Sequence, residues 1–226
     1  MNNFDFVTVV ATTGLVAGVL TVGATNPVVQ QKANEVASEI KASVSADIQE
    51  LFGSVSSPGA IAIGAAEGTM TPDGTKTQHY EFHFDPGNGE PNTGMFSCQN
   101  AYCTENGRRL PPEEADKRQL SRIRKFAERL EATAQSKNLE LGAVDIVAGA
   151  DLFNQSELAG HDYLDRLKQC RSEGKTGTDA VLCARERAYI DPQTGRLDAP
   201  GLGNDPGRVR QDQKRRIDEI LETLRK

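Results

Sequence analysis

After residue 110, apolar residues recur at steps of three and four over most of the chain, and this period restricts that part of the fold to packed helices. Pro111 and Pro112 open the first segment, since proline fits a first helical turn. An apolar run over residues 143–153 predicts another helix, and Asp205 with Pro206 is the predicted start of the last one. The predicted core stripes are Leu120, Ile123, Phe126, Ala127, Leu130 and Ala134; Tyr163, Leu164, Leu167 and Cys170; Val181, Leu182, Arg185 and Tyr189; and Val209, Ile217, Ile220, Leu221 and Leu224.

Residues 68–106 differ from the rest and are dense in Gly, Thr, Asn, Asp and Pro. A short apolar helix, Ala60–Glu67, is predicted just before them, with Gly68 at its end. Within the stretch, His79 to Asp85 alternate, which predicts a strand with one polar face and with Tyr80, Phe82 and Phe84 on the other. The predicted fold class is therefore α+β, predominantly helical, with a small β-rich insertion.

The N-terminal region has an uncharged apolar run over residues 7–24, about the length of a signal-peptide core or a short membrane span. We predict a signal peptide or membrane anchor over residues 1–25. An amphipathic stripe from Val29 to Leu51 predicts a helical stalk over residues 26–54, which ends near Gly53, and a domain over residues 55–226. Residues 1–6 lack Lys and Arg, and Thr and Gly weaken the run, so a buried or assembly-associated helix remains an alternative.

Four cysteines form two pairs that are close in sequence, Cys98 with Cys103 and Cys170 with Cys183. An even number of cysteines in an oxidising compartment indicates disulfides, and local pairing is the prediction among three connectivities. A four-cysteine zinc site is the alternative, although neither pair has the two-residue gap of a zinc knuckle. Together with the apolar run, this predicts an exported protein that is periplasmic, extracellular or membrane-tethered.

The charge pattern argues against a nucleic-acid partner. The net charge is −6, and the basic residues after residue 107 are interleaved with Glu and Asp in helical patterns. Binding to nucleic acid requires clustered Lys and Arg that displace counterions from phosphates. We therefore expect no nucleic acid among the partners.

Glu67 is the residue that most suggests chemistry. A carboxyl group at the end of an apolar helix loses part of its hydration, which disfavours its charged form and suits it to donate a proton. Cleavage of a glycosidic bond requires such an acid and a second group across the bond. Asp85 is the leading candidate for that second group, followed by Glu81 and Asp73.

Glu67-Gly68, followed by a Gly-rich region with Tyr80, Asp85, Gly89, Thr93 and Gly94, resembles the start of the lysozyme-like muramidase fold over about residues 60–97. The resemblance implies a lysozyme-like helical domain. It also implies that Glu67 is the acid, that Asp85 is its partner and that the Thr93 hydroxyl orients the water. His83 has no required counterpart in that pattern.

Polar residues around these positions are candidates to bind a sugar chain. Asp151 and Asn154 follow the apolar part of the helix that begins near residue 143, although helix termination is the alternative interpretation. The complete predicted substrate-binding set is Tyr80, Asn88, Asn92, Asp151 and Asn154.

A metal site is the second chemical hypothesis, because His83 and Asp85 share one face of the predicted strand and Glu67 or Asn88 could complete a set. His79 and His83 would lie about 13 Å apart on an extended strand, too far to share one zinc ion. The acidic spacing of an EF-hand is absent from the loop at residues 85–90.

The sequence therefore predicts a glycan hydrolase of the cell envelope that needs no cofactor or metal and acts on peptidoglycan or a related amino-sugar polymer. Two alternatives remain open. One is a non-catalytic, membrane-tethered envelope protein that binds a partner or glycan, and the other is a metal-dependent hydrolase.

Overall fold

The computed structural model describes residues 48–85 and 89–226. The predicted signal or anchor segment and most of the predicted stalk lie outside the described residues. Residues 48–52 are helical, and the helix ends before Gly53, where the stalk is predicted to end. In the described part of the chain, no helix combines the length and hydropathy that a membrane span requires.

Helices dominate the described residues, and the predicted α+β class is confirmed. The predicted core stripes lie on helices, except that Tyr189 directly follows the helix that ends at Ala188, and their residues are buried or pack against the core. Short 3₁₀ turns occur at Asn100–Cys103 and Pro200–Leu202. The helices are α1 (Pro58–Glu67), α2 (Pro112–Ser136), α3 (Ala143–Gln155), α4 (Glu157–Ser172), α5 (Gly177–Ala188) and α6 (Pro206–Leu224).

Helix α3 lies at the centre of the core and packs against α1, α2, α4, α5 and α6. Its residues Val147 and Leu152 are fully buried. Helix α1 packs mainly against α6, and its small residues allow this approach. At Gly64 an added Cβ would lie 2.6 Å from the Met70 side chain and 2.7 Å from the Met95 side chain, so the loop after α1 closes directly over the helix.

The described part of the β-rich insertion contains two small antiparallel sheets. Strand β1 (His83–Phe84) pairs with β2 (Pro91–Asn92), with His83 opposite Asn92. Strand β3 (Thr104–Glu105) pairs with β4 (Arg108–Arg109). These short pairs tie the loops of residues 68–110 together beside α2.

The predicted strand over His79–Asp85 is wrong in its first half, because residues 78–81 form a turn. The Tyr80 amide donates to the Thr77 carbonyl at 3.2 Å, and the His79 amide donates to the Thr77 hydroxyl at 3.2 Å. In this half of the predicted strand, these local hydrogen bonds take the place of hydrogen bonds to a neighbouring strand. Of the three aromatic rings, Tyr80 is buried, whereas Phe82 and Phe84 are 48% and 63% exposed.

Both predicted cysteine pairs are confirmed as disulfides. Cys98 joins Cys103 with a Cα–Cα distance of 5.9 Å, and Cys170 joins Cys183 at 6.2 Å. The second bond connects α4 to α5 across their turn. Two disulfides indicate an oxidising environment of the kind that exported proteins meet.

Replacing both Cys170 and Cys183 with alanine is expected to lower the free energy of unfolding by about 3 kcal/mol. The cysteines are 13 residues apart, and a cross-link of that span restricts the unfolded chain. Urea denaturation of the two proteins measures the difference. The matched double variant of Cys98 and Cys103 removes a cross-link that spans only 5 residues, so its free energy of unfolding should fall less, by about 2 kcal/mol. An unchanged unfolding midpoint for the first variant would contradict the expectation.

Candidate active site

Glu67 is the last residue of α1, and Gly68 ends the helix in the left-handed conformation at φ +76°. The Glu67 side chain is only 10% exposed. Its Oε1 accepts hydrogen bonds from Arg216 Nη1 at 3.0 Å and from Asn154 Nδ2 at 2.9 Å. Among the described residues, no hydrogen bond reaches Oε2. Two donors therefore fix one carboxyl oxygen, and the other has no hydrogen bond within the described part of the chain.

Asn154, near the end of α3, connects Glu67 to the β-rich insertion and to α2. Its Nδ2 also donates to the Phe96 carbonyl at 3.0 Å, and its Oδ1 accepts from Gln119 at 2.8 Å. Gln119 in turn accepts from Arg122 at 2.8 Å. The end of α1, the loop at residues 93–97, α2 and α3 therefore meet at Glu67.

Arg216 connects Glu67 to a second, fully buried ion pair. Its Nη1 contacts Asp151 Oδ1 at 2.9 Å, and Arg185 Nη2 contacts Asp151 Oδ2 at 2.7 Å. Arg185 and Asp151 are both completely buried. Burial disfavours the charge on Arg216, but Asp151 and Glu67 outweigh this effect and raise its pKa above the ordinary value.

Two amides and one further acid complete this network. Gln213 accepts from Arg185 Nε at 2.6 Å and donates to Gln155 at 3.1 Å. Burial alone would raise the pKa of Asp212, but Arg216 and Arg215 lower it below its usual range. The acids and the guanidinium groups thus balance one another in the interior.

The arginines are the part of this arrangement that the sequence interpretation missed. Arg185 is predicted only to pack within the α5 stripe. Arg216 directly precedes Ile217 in the sequence and belongs to no motif that would mark it as functional. A charged residue on an otherwise apolar face is the available signal, because a buried guanidinium requires an acidic partner. That partner, Asp151, was predicted to bind substrate.

The other two predicted catalytic residues lie in the β-rich insertion. Asp85 follows β1, and its Oδ2 accepts from Gln99 at 3.2 Å. Thr93 is 1% exposed, and its hydroxyl donates to the Glu81 carbonyl at 3.0 Å. Thr93 therefore holds two parts of the insertion together, and its segment continues to Phe96, which contacts Asn154.

The predicted substrate-binding residues occupy different places. Asn154 contacts Glu67 directly, and Asp151 is enclosed in the buried ion network. Tyr80 is buried, and its hydroxyl donates to Asp116 at 2.9 Å. Asn92 is buried beside His83, and Asn88 lies outside the described residues.

The separation expected for His79 and His83 is wrong, because the turn at residues 78–81 brings their ring centroids within 5.7 Å. Within the described residues, however, no three His, Cys, Asp or Glu side chains are grouped so that they could hold a metal ion. His83 and Asp85 therefore have no third ligand of these types in that part of the chain.

Asp116 of α2 fixes the loop that approaches Glu67. Its Oδ1 accepts from the Met95 amide at 2.6 Å, and its Oδ2 accepts from the Tyr80 hydroxyl. Asp116 is 2% exposed. Burial raises the pKa of its carboxyl group to about 6, although the hydrogen bonds from Tyr80 and Met95 oppose the shift.

This shift predicts that stability depends on pH. The folded chain binds the Asp116 proton more tightly than the unfolded chain does, so the free energy of unfolding should fall as pH rises from about 4 to about 6. The expected contribution is on the order of 3 kcal/mol. Urea denaturation across this range should show the slope in the wild type and a flatter slope in Asp116→Asn. The control is Asp218→Asn, which removes an exposed acid and should keep the wild-type slope. An equal slope in the wild type and Asp116→Asn would contradict the assignment.

Comparison of this chain with family models, curated proteins and solved structures finds no match.

Proposed function

We propose that this chain is a lysozyme-like glycan hydrolase of the cell envelope, which cleaves peptidoglycan or a related amino-sugar polymer with Glu67 as the general acid. The observation that carries the proposal is the nearly buried Glu67 carboxyl group, whose Oε1 is held by Asn154 and Arg216 while Oε2 has no hydrogen bond among the described residues. A glycosidase acid needs low hydration, a fixed orientation and one oxygen that reaches the glycosidic bond, and Oε2 is proposed for that last role.

In the proposed reaction, Glu67 Oε2 delivers a proton to the glycosidic oxygen as the bond to the sugar breaks. Asn154 keeps the carboxyl plane oriented through Oε1. Arg216 then stabilises the Glu67 carboxylate that remains after proton transfer. Because Asp151 and Asp212 share the charge of Arg216, that charge does not act on Glu67 alone.

Asp85 is proposed as the second group across the scissile bond. As a carboxylate it would support the oxocarbenium-like transition state or orient the attacking water. Thr93 would assist by positioning the loop that carries Phe96, since its hydroxyl donates to the Glu81 carbonyl. Asn154 would contact the sugar, and Asn92, at the end of β2, belongs to the insertion proposed to border it.

The proposed setting is outside the cytoplasm. The two disulfides support export. We propose that residues 1–25 act as a signal peptide or membrane anchor, that residues 26–54 form a stalk and that residues 55–226 form the lysozyme-like domain. The substrate is then a wall polysaccharide, and the N-terminal segment supplies any membrane contact.

A non-catalytic envelope protein is the second candidate, and the ion network favours it. Glu67, Asp151, Arg185 and Arg216 form a charge-balanced set that a purely structural role would explain. In that case Glu67 joins α1 to α6, and the domain binds a glycan or protein without cleaving it.

The test is incubation of the full chain with purified peptidoglycan and with chitin-type oligomers, with released reducing ends measured over a range of pH. The hydrolase proposal expects release from at least one polymer. Binding without release from any of them would favour the non-catalytic candidate.

A further inference from the structure

His83 and Ser97 lie together in the β-rich insertion. The His83 Nδ1 atom is 2.8 Å from the His79 carbonyl oxygen, and its Nε2 is 3.3 Å from Ser97 Oγ. A carbonyl oxygen only accepts hydrogen bonds, so Nδ1 carries the proton and Nε2 presents its lone pair to Ser97. Both side chains are partly exposed. This is the arrangement of a nucleophile and a base whose third partner is a main-chain carbonyl.

Ser97 has an unusual backbone conformation, with φ +48°. It is the last residue of the turn 94–97, which is closed by the bridge between Thr93 and Cys98. Glycine or asparagine would adopt this conformation with less strain, yet the chain has serine here. Strained residues of this kind concentrate at functional sites. The next residue, Cys98, is fixed by its disulfide to Cys103, so Ser97 is held in place from its C-terminal side.

Asn92 provides a polar group beside the same imidazole. Its Nδ2 is 3.5 Å from His83 Nε2, and the residue is 2% exposed. Among the described residues, its buried Oδ1 has no hydrogen-bond partner. An amide oxygen only accepts hydrogen bonds, so a hydroxyl group of a ligand bound beside His83 would supply the missing bond.

We propose that Ser97 and His83 hydrolyse acyl esters, with Ser97 as the nucleophile and His83 as the base. The activity is separate from glycan cleavage. The ester chemistry is independent of the proposed function. The identity of the alcohol rests on that function: it is a sugar hydroxyl if the substrate is an O-acetylated wall polymer.

The reaction begins when Ser97 Oγ bonds to the ester carbonyl carbon and its proton passes to His83 Nε2. The bond from that carbon to the alkoxy oxygen then breaks, and the departing oxygen takes the proton from Nε2. Water attacks the resulting acyl-serine, and its proton passes to Nε2. The carbon–Oγ bond breaks, Oγ recovers the proton, and the products are one alcohol and one carboxylic acid. The positive charge that forms on His83 is stabilised by the His79 carbonyl through Nδ1.

Esters fit this pair better than amides do. An alkoxide is a much weaker base than an amide anion, so its departure requires less assistance from the protonated imidazole. A carbonyl oxygen stabilises that imidazolium less strongly than the carboxylate of a serine–histidine–aspartate triad would.

The direct test is reaction of the full chain with an alkyl fluorophosphonate, which forms an Oγ–P bond and releases fluoride and the serine proton. Peptide mapping by mass spectrometry should place the adduct on Ser97. Ser97→Gly should abolish the adduct, and because glycine relaxes the positive φ, this variant should fold. His83→Gln should slow labelling by roughly 100-fold or more, the usual contribution of a general base.

Matched controls are Ser56→Gly, in an exposed turn, and His161→Gln, on the exposed face of α4; both should label at the wild-type rate. Thermal unfolding of each variant establishes that it is folded. No adduct on Ser97, or an adduct that forms equally fast in folded His83→Gln, would overturn the proposal. The adduct forms without any glycan present, so a failure of glycan cleavage alone bears only on the proposed function.

Discussion

Replacing Asp151 with asparagine is expected to lower the free energy of unfolding by about 3–5 kcal/mol. Asparagine has nearly the same shape but leaves the guanidinium groups of Arg185 and Arg216 buried together without the shared carboxylate. Breaking a buried ion pair in this way is strongly destabilising, because the remaining charge cannot be hydrated. For a domain of ordinary stability this is a large part of the total.

Equilibrium urea denaturation monitored by circular dichroism measures this effect. Asp218→Asn is the matched control, because Asp218 pairs with Lys214 on the exposed surface of α6, and its loss should change stability by less than about 1 kcal/mol. If Asp151→Asn were as mild as the control, the buried network would not contribute to the fold as described.

The helices were predictable because each one is marked by apolar residues that repeat every three to four positions. The α2 stripe from Leu120 to Ala134 repeats every three to four residues, and burial of that face follows without knowledge of any partner. Asp205 is confirmed as the N-cap of α6, since its side chain accepts from the Arg208 amide at 2.9 Å. These features depend on residues close together in sequence.

The β-rich insertion was harder to predict for a physical reason. The alternation of His79 to Asp85 fits a strand, but hydrogen bonds to Thr77 fold its first half into a turn. Short segments rich in Thr, Asn and Asp offer the backbone local partners that compete with sheet pairing. The contact of His83 with Ser97 arises from this turn and from the following loop, and therefore escaped the sequence interpretation.

The site around Glu67 was predicted in part. The end of an apolar helix marked Glu67, and the end of α3 marked Asn154. Arg216 escaped notice because it lies 149 residues from Glu67, and only the packing of α1 on α6 brings them together. No local pattern carries that information.

Replacing Glu67 with glutamine is expected to reduce glycan hydrolysis by roughly 100-fold or more, because an amide cannot deliver a proton to the glycosidic oxygen. The glutamine Oε1 can still accept from Arg216 and Asn154, and Arg216 keeps its contact with Asp151. The fold should therefore persist, with a near-native circular dichroism spectrum and a cooperative unfolding transition.

Glu173→Gln is the matched control for this substitution. Glu173 also stands at a helix end and pairs with an arginine, Arg187, but it is exposed and distant in sequence from the proposed site. Its replacement should leave the rate of hydrolysis unchanged.

The most direct measurement of the central claim is the initial rate at which the full chain releases reducing ends from purified peptidoglycan, compared among the wild type, Glu67→Gln and Glu173→Gln at equal concentrations of folded protein. The hydrolase account predicts release by the wild type and Glu173→Gln, and a rate lower by roughly 100-fold or more for Glu67→Gln. A Glu67→Gln protein that cleaves as fast as the wild type would contradict it.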